Sequence, residues 1–202
     1  MLFRSIRDDR SILIGGKTLD TDATVVRFAS LPTRVVGLRL EALPDKSLPS
    51  KGPGRAGNGN FVLTEVVARV ARDGSPAREL SFEAAWASHE QTVSAEKNPY
   101  GKWSAASVID RDARGSFAGW AILPEAGKPS QLRLTLREPL TLAPGERLEV
   151  ELQQKHGHGN HTLGCFRLGV ATDAAALVPP AVPLPAGELA EAIRSEEHTS
   201  EL

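Results

Sequence analysis

The sequence has almost no cysteine: Cys165 is the only one among 202 residues. One cysteine excludes a disulfide within this sequence, and it also excludes a CxxCH haem-attachment motif. Because Cys165 directly precedes Phe166, we expect a small buried side chain there. The G-x-S-x-G and H-E-x-x-H signatures are missing as well, so the sequence predicts neither a serine-hydrolase elbow nor a zinc-protease helix.

An excess of one charge and a long apolar run are also missing. The formal net charge is −1, which gives no electrostatic footprint for nucleic acid or an anionic membrane. No apolar run approaches the length of a membrane span, and residues 1–10 lack the apolar core of a signal peptide. With 41% apolar residues, the chain is predicted to form one domain with a buried core.

Glycine and proline are concentrated in residues 38–65, LRLEALPDKSLPSKGPGRAGNGNFVLTE. Leu38 and Leu40 alternate with polar residues before the glycines, and Phe61 and Leu63 resume the apolar face after them. A period of two is typical of half-buried strands, so this stretch predicts a strand, a long loop and a second strand. Loops of this length are usually functional or disordered, and the many specific polar residues favour an ordered one.

Short alternating or β-branched runs recur along the rest of the chain. They predict strands at residues 11–16, 23–29, 34–43, 61–72, 80–88, 119–123, 132–136, 148–152 and 166–170. Helix is the alternative for residues 80–88, and residues 105–109 fit either a short strand or a helical turn. Because strands do not alternate with helices, we expect an all-β fold, an antiparallel β-sandwich.

The clearest pair of runs predicts an antiparallel hairpin. Residues 132–136 and 148–152 each alternate apolar and polar side chains, and residues 143–146 (APGE) supply a turn between them. We expect this hairpin to be solvated on one face.

The aromatic residues receive different predictions. Trp86, which alternates with Phe82, and Trp120 are expected in the core. Tyr100 and Trp103 lie in a polar loop, where an exposed ring could stack on a sugar; alternatively, Trp103 closes one end of the sandwich.

The end of the sequence differs from the rest in composition. Residues 1–178 are expected to form the β-sandwich, and the prolines of residues 179–193 predict an extended linker to a further domain. Residues 194–202 (RSEEHTSEL) match the in-frame translation of a common sequencing adaptor, so we expect an artefact there.

Three stretches resemble one module of the large planctomycete cytochrome-c-domain proteins. They are the glycine-rich stretch at 38–65, GWAILPEAGKP and HTLGCFRLGV, and the resemblance extends over roughly residues 9–193. It implies a multidomain protein that is secreted, periplasmic or at the cell surface, with cytochrome c domains and domains of unknown function beside this module. No haem is expected in this segment, since the CxxCH motif is missing.

The module is similar to discoidin-like, galactose-binding-like jelly rolls, because Val108-Ile109-Asp110 precedes Trp120. Arg111 stands where that pattern has glycine. The resemblance makes Asp110 and Asp112 candidate ligands for a structural Ca²⁺, an ion that needs six to eight oxygen ligands. The alternative is an aspartate that caps a turn through the local backbone.

The glycine-rich loop carries candidate sugar-binding residues. Arg55, Asn58 and Asn60 have the donors and acceptors that vicinal hydroxyls require. In the alternative interpretation, the two asparagines adopt left-handed backbone conformations with local hydrogen bonds, and Arg55 pins the loop to a carboxylate.

Three histidines follow in HGHGNH. His156, His158 and His161 are a candidate metal site for Zn²⁺ or Cu²⁺, with a polar turn as the alternative. His161 also fits the family pattern, and it joins Arg55, Asn58, Asn60, Tyr100 and Trp103 in the predicted ligand-binding set.

These observations support three functional hypotheses. The first is a non-catalytic carbohydrate-binding module for a polysaccharide or glycan. The second is a structural module that docks on neighbouring domains of the same parent chain without its own ligand. The third is a polysaccharide-active enzyme, for which no pair of carboxylates is marked by its sequence context.

Overall fold

The computed structural model describes residues 2–28, 30–91, 103–112 and 118–179, and this part of the chain is all-β. Its strands are β1 Leu2–Ile6, β2 Ile12–Gly16, β3 Asp22–Arg27, β4 Val35–Ala42, β5 Glu65–Ala71, β6 Arg78–Leu80, β7 Phe82–Ala87, β8 Ser130–Leu140, β9 Arg147–Gln154 and β10 Cys165–Ala171. Short 3-10 helices lie at Pro49–Lys51, Ala105–Val108 and Ala174–Ala176. A helix with the length and apolarity to cross a membrane is not found in these ranges. The adaptor-like tail and all but the first residue of the predicted linker lie outside them.

The strands form two antiparallel sheets. One has six strands in the order β1-β2-β10-β4-β8-β7, and the other has four in the order β3-β9-β5-β6. All the pairings between neighbours are antiparallel. The predicted antiparallel β-sandwich is confirmed at this level.

One apolar core lies between the sheets. Leu132 and Leu134 of the six-stranded sheet and Leu148 and Leu152 of the four-stranded sheet are buried in the same cluster. Each such leucine contributes roughly 1.5–3 kcal/mol through burial. Trp120 is fully buried in this core, as predicted, and Cys165 is buried as well.

The predicted hairpin is wrong, because β8 and β9 lie in opposite sheets. β8 pairs with β4 and β7, whereas β9 pairs with β3 and β5. Residues 141–146 carry the chain from one sheet to the other. Two strands that face each other across a core need the same apolar alternation as two strands that share a face, so periodicity alone does not separate the two arrangements.

The prediction that Trp86 lies in the core is also wrong. A register shift between Phe82 and Ala84 moves the following residues of β7 to the opposite face. Trp86 therefore lies opposite Arg133, whose guanidinium carbon is 4.6 Å from the centre of the indole ring. Strand, and not the alternative helix, is the observed structure of this segment.

Two predicted strands are shorter than expected. The run at 61–72 is a strand only from Glu65 onward, and the segment at 119–123 forms a single bridge between Trp120 and Leu63. Phe61 and Leu63 are nevertheless fully buried, as their apolar alternation predicts, although they do not belong to a hydrogen-bonded strand. The helical-turn alternative is the observed one at Ala105–Val108.

The glycine-rich loop, residues 43–64, is packed into the fold. Gly54 N donates to Gly59 O at 3.0 Å, Arg55 N to Thr162 O at 2.8 Å, and Gly164 N to Pro53 O at 2.7 Å. The approach at Gly54 is close, since a Cβ there would lie 1.9 Å from the carbonyl oxygen of Asn60. This position therefore requires glycine for space.

Replacing Gly54 by alanine is expected to destabilise the protein by at least ~2 kcal/mol, because the new methyl group overlaps backbone that cannot rotate away. Gly57 is a matched control in the same loop, since a Cβ there meets nothing within 4 Å. Gly57→Ala should change the free energy of unfolding by less than about 0.5 kcal/mol. Urea denaturation of both variants measures the difference, and equal effects would contradict the packed loop.

Candidate functional site

A cleft of about 560 Å³ lies beside β5, β6 and the segment that follows the 3-10 helix Ala105–Val108. We call it the Glu65 cleft. Its polar lining is formed by Glu65, Gln153, Glu79, Ser81, Arg111 and Arg137, and its apolar wall includes Val67, Phe82 and Ile109.

Two buried side chains form the inner polar surface of the cleft. Glu65 and Gln153 are direct partners across the β5–β9 pair, and they are only 5% and 8% exposed. Oε2 of Glu65 and Oε1 of Gln153 are buried without a hydrogen-bond partner in the described part of the chain. The Gln153 amide is oriented by its Nε2, which donates to Glu151 Oε1 at 3.1 Å. Each acceptor costs about 1–3 kcal/mol when left unpaired, and both residues line the same cleft.

The cleft raises the pKa of Glu65 to about 7. Burial is the largest cause, and the negative charges of Asp110 and Glu79 act in the same direction. The backbone N–H and the positive charge of Arg111 oppose the rise. Near neutral pH the Glu65 carboxyl is therefore a mixture of its neutral form, which can donate a hydrogen bond, and its charged form, which only accepts.

Two exposed arginines supply donors at the mouth of the cleft. Arg111 has a left-handed backbone (φ 66°), and its Nη2 donates to Ser81 Oγ at 3.3 Å. Arg137 is held through its backbone, which donates to Ser81 O at 2.9 Å, while its side chain is exposed. The cleft thus presents acceptors inside, and its exposed part carries the donors of Arg111 and Arg137 beside the carboxylate of Glu79.

The predicted calcium ligands lie beside this cleft. Asp110 and Asp112 are exposed, and Asp110 Oδ1 accepts a hydrogen bond from Asp112 N at 2.8 Å. This contact matches the alternative in which an aspartate caps a turn. In the described ranges, no three or more His, Cys, Asp or Glu side chains are grouped so that they could hold a metal ion. The calcium role of this pair stays a prediction.

The two loop asparagines have structural contacts. Asn60 is 2% exposed; its Nδ2 donates to Gln91 Oε1 at 2.9 Å, and its Oδ1 accepts from Ile122 N at 3.1 Å. Asn58 is exposed and accepts from Asn60 N at 3.1 Å. The local bonding of the alternative interpretation is present for Asn58, but the left-handed residue is Gly59 between them and neither asparagine.

Arg55 extends away from the asparagines. Its Nη2 donates to Gly16 O at 2.6 Å and to Thr18 Oγ1 at 3.2 Å, so it pins the loop to β2. The alternative interpretation expected a carboxylate as its partner, and the observed partners are a carbonyl and a hydroxyl instead. The sugar-binding role of Arg55, Asn58 and Asn60 stays a prediction.

Trp103 and His161 both lie close to Val62, near the end of the loop. Trp103 is 8% exposed and packs with Val62 and Ala121, which is the closing role of the alternative interpretation. His161 Nδ1 lies 2.7 Å from His158 O. Tyr100 lies outside the described residues.

The three histidines of HGHGNH lie close to one another in the structure. The ring centres of His158 and His161 lie 5.5 Å and 5.2 Å from that of His156, in edge-to-face contact. Within the part of the chain that the structure describes, they do not belong to any group of three or more His, Cys, Asp or Glu side chains that could hold a metal ion. The polar-turn alternative therefore describes HGHGNH better.

The structure separates the predicted site residues into three places. Asn60, Trp103 and His161 lie around the chain at Val62, Arg55 faces β2, and the two aspartates border the Glu65 cleft. Sequence reasoning missed Glu65, Gln153 and Arg137. Glu65 and Gln153 occupy polar positions of their strands, which predicts solvent exposure. Nothing in the pattern indicates that Ile109 and Arg111 line the same cleft.

Replacing Glu65 by glutamine is expected to remove a pH-dependent loss of stability. The pKa of Glu65 is about 7 in the fold against 4.5 for the ordinary group. The folded state therefore binds the Glu65 proton more tightly than the unfolded chain does. The bound proton stabilises the fold fully below pH 4.5, and this stabilisation is lost as the pH rises through 7. The free energy of unfolding should fall by roughly 2–3 kcal/mol across this window in the wild type and not in Glu65→Gln.

Urea unfolding at a series of pH values measures this difference. Glu83→Gln, which changes an exposed glutamate of β7, is the matched control and should follow the wild type. If the free energy of unfolding of Glu65→Gln changes with pH as it does in the wild type and in Glu83→Gln, the raised pKa of the buried Glu65 carboxyl is contradicted.

Comparison with known proteins adds no family to this description. The chain matches no protein-family model, no curated protein and no solved structure. Conclusions about function therefore depend on the cleft and on the chemistry of its side chains.

Proposed function

We propose that this chain is a non-catalytic carbohydrate-binding module of a larger secreted, periplasmic or cell-surface protein, and that the Glu65 cleft holds the glycan. The observation that supports this most is the pair of buried, unsatisfied acceptors on Glu65 and Gln153. A ligand that brings donors into the cleft would satisfy both. Neutral sugars carry many such donors in a compact volume.

The whole lining matches the chemistry of a sugar. A hydroxyl group both donates and accepts, so it can donate to Gln153 Oε1 inside the cleft while its neighbour accepts from Arg137 at the rim. The apolar wall at Val67, Phe82 and Ile109 suits the C–H faces of a sugar ring. A cleft of about 560 Å³ also lies within the usual size of small-ligand sites.

The proposal includes a jelly-roll topology, and the strand pairing supports it. If β1 and β7 are set aside, six pairs of the described strands remain, and four of them are β2 with β10, β3 with β9, β4 with β8 and β5 with β6; the other two are β4 with β10 and β5 with β9. Those four pairs are nested, first strand with last, which is the pattern of one long hairpin ribbon wrapped around a core, and the other two join neighbouring turns of the ribbon. A jelly roll consists of such an eight-stranded, two-sheet arrangement.

A second candidate function is a docking module for neighbouring domains of a cytochrome-c-domain parent protein. The observation that favours it is the edge strand β1, where Phe3 is 54% exposed and Ile6 is 79% exposed. An edge strand with exposed apolar side chains can pair with or pack against another domain. Ile6→Lys should then increase the solubility of the chain and leave glycan binding unchanged.

Affinity gel electrophoresis on a panel of soluble polysaccharides tests the first proposal. One polymer or a related group should retard the protein, and Arg137→Ala should weaken that retardation about tenfold, since a charged hydrogen bond is worth about 1.5 kcal/mol. Arg34→Ala, which removes an exposed arginine outside the cleft, is the matched control. The gels are run with calcium and with a chelator, so that a role of Asp110 and Asp112 would appear as calcium dependence.

Two outcomes would overturn the proposal. Uniform mobility on the whole panel would leave the docking function as the better one. Release of reducing sugar by the wild type, abolished in Glu65→Gln, would show an enzyme in which Glu65 transfers a proton.

A further inference from the structure

A second cavity, of about 410 Å³, lies between the β1–β2 hairpin and the first part of the glycine-rich loop. We call it the Arg55 cavity. Arg55 and Thr18 supply polar groups to it, and Phe3, Leu13 and Leu48 supply apolar surface. None of the described residues that line it is acidic.

The Arg55 side chain reaches this cavity as a buried cation. The residue is 7% exposed, and Nη2 is held by Gly16 O and Thr18 Oγ1. The N–H groups on Nε and Nη1 have no hydrogen-bond partner in the described part of the chain. Gly164 makes room for the stem, since a Cβ there would lie 3.0 Å from Arg55 Cγ. The guanidinium is thus fixed at one nitrogen and open at the other two.

Arg55 has no direct counter-charge among the residues that the structure describes. No carboxylate of the described residues forms an ion pair with it, and burial lowers its pKa. Asp22 acts in the opposite direction, but both of its oxygens accept from Arg4 Nη2 at 2.9 Å. Because a guanidinium does not lose its proton in proteins, a bound anion would compensate the part of this buried charge that Asp22 leaves.

We propose that the Arg55 cavity binds the carboxylate group of an organic anion. The planar fork of a guanidinium matches a carboxylate with two parallel hydrogen bonds, and one cation balances one carboxylate charge. A phosphate dianion would need further cations that the lining does not provide. Phe3, Leu13 and Leu48 offer apolar contact to a carbon skeleton. The ligand is either a free organic acid or an acidic sugar such as a uronate, and this site is independent of the Glu65 cleft.

Amide NMR spectra of the ¹⁵N-labelled full chain test the proposal. Acetate, propionate and glucuronate are titrated separately at constant ionic strength, with glucose, chloride, sulfate and phosphate as comparisons. Carboxylates should produce saturable shifts at Gly16, Thr18 and Arg55 and leave Glu65 and Gln153 unchanged. Saturation by the simple acids indicates a free organic acid, whereas saturation by glucuronate alone indicates an acidic sugar.

Three results would overturn this assignment: no saturable shift below about 20 mM carboxylate, equal shifts with chloride, or tighter binding of sulfate or phosphate. Arg55→Lys keeps the charge and removes the fork, so it should weaken carboxylate binding at least about tenfold. Arg34→Lys is the matched control and should not. If Arg55→Lys does not fold, the positions of the carboxylate-induced shifts in the wild type still test the assignment. Arg137→Ala alters the Glu65 cleft alone, so carboxylate binding that persists in this variant shows that the two sites can fail separately.

Discussion

The structure depends on hydrogen bonds made by the irregular backbone of residues 43–64. Residues 52–56 and 59–64 of this loop are buried, and an unpaired amide there costs about 1–3 kcal/mol. Its amides find partners on two neighbouring segments: Arg55 N on Thr162 O, Val62 N on His161 O, and Thr64 N on Gln153 O. Glycine makes the close approaches possible, most clearly at Gly54. The loop therefore behaves as part of the core, and it fixes where the strands on both sides of it begin and end.

Asn60 shows how a side chain replaces a missing strand. Its amide accepts from Ile122 N and donates to Gln91 Oε1, and that oxygen also accepts from Leu123 N at 3.3 Å. A side-chain amide has the same donor and acceptor types as a peptide group, so it can satisfy backbone that no strand reaches. The segment after Trp120 thus stays buried with one bridge instead of a ladder. Both candidate sites adjoin this loop, with Arg55 within it and Glu65 directly after it.

The sequence predicts the class of fold well because the alternation of apolar side chains is a local property. It identifies β4, β9 and β10 and the shared core that contains Trp120. It does not reveal that β8 and β9 lie in opposite sheets. The path of residues 141–146 decides that arrangement, and the alternation of apolar and polar side chains is the same in both cases. Trp86 is misplaced for a related reason, since one extra residue in β7 exchanges the two faces. The candidate cleft is missed because its lining joins Glu65 and Gln153 to Ile109 and Arg111, which are distant in sequence, and no strand pattern records that proximity.

Glu65 and Arg55 are both buried ionisable side chains, and the difference between them shows which site depends more on a ligand. A glutamate can lose its charge by taking up a proton, and the pKa of about 7 shows that this fold makes that form accessible near neutral pH. An arginine has no such route, because its guanidinium stays protonated under all ordinary conditions. Glu65 therefore needs hydrogen-bond donors that a neutral ligand can bring. Arg55 needs a negative charge, and the described protein commits the nearby Asp22 to Arg4. A ligand in the Glu65 cleft would therefore pair polar atoms, whereas a ligand in the Arg55 cavity would also neutralise a buried charge.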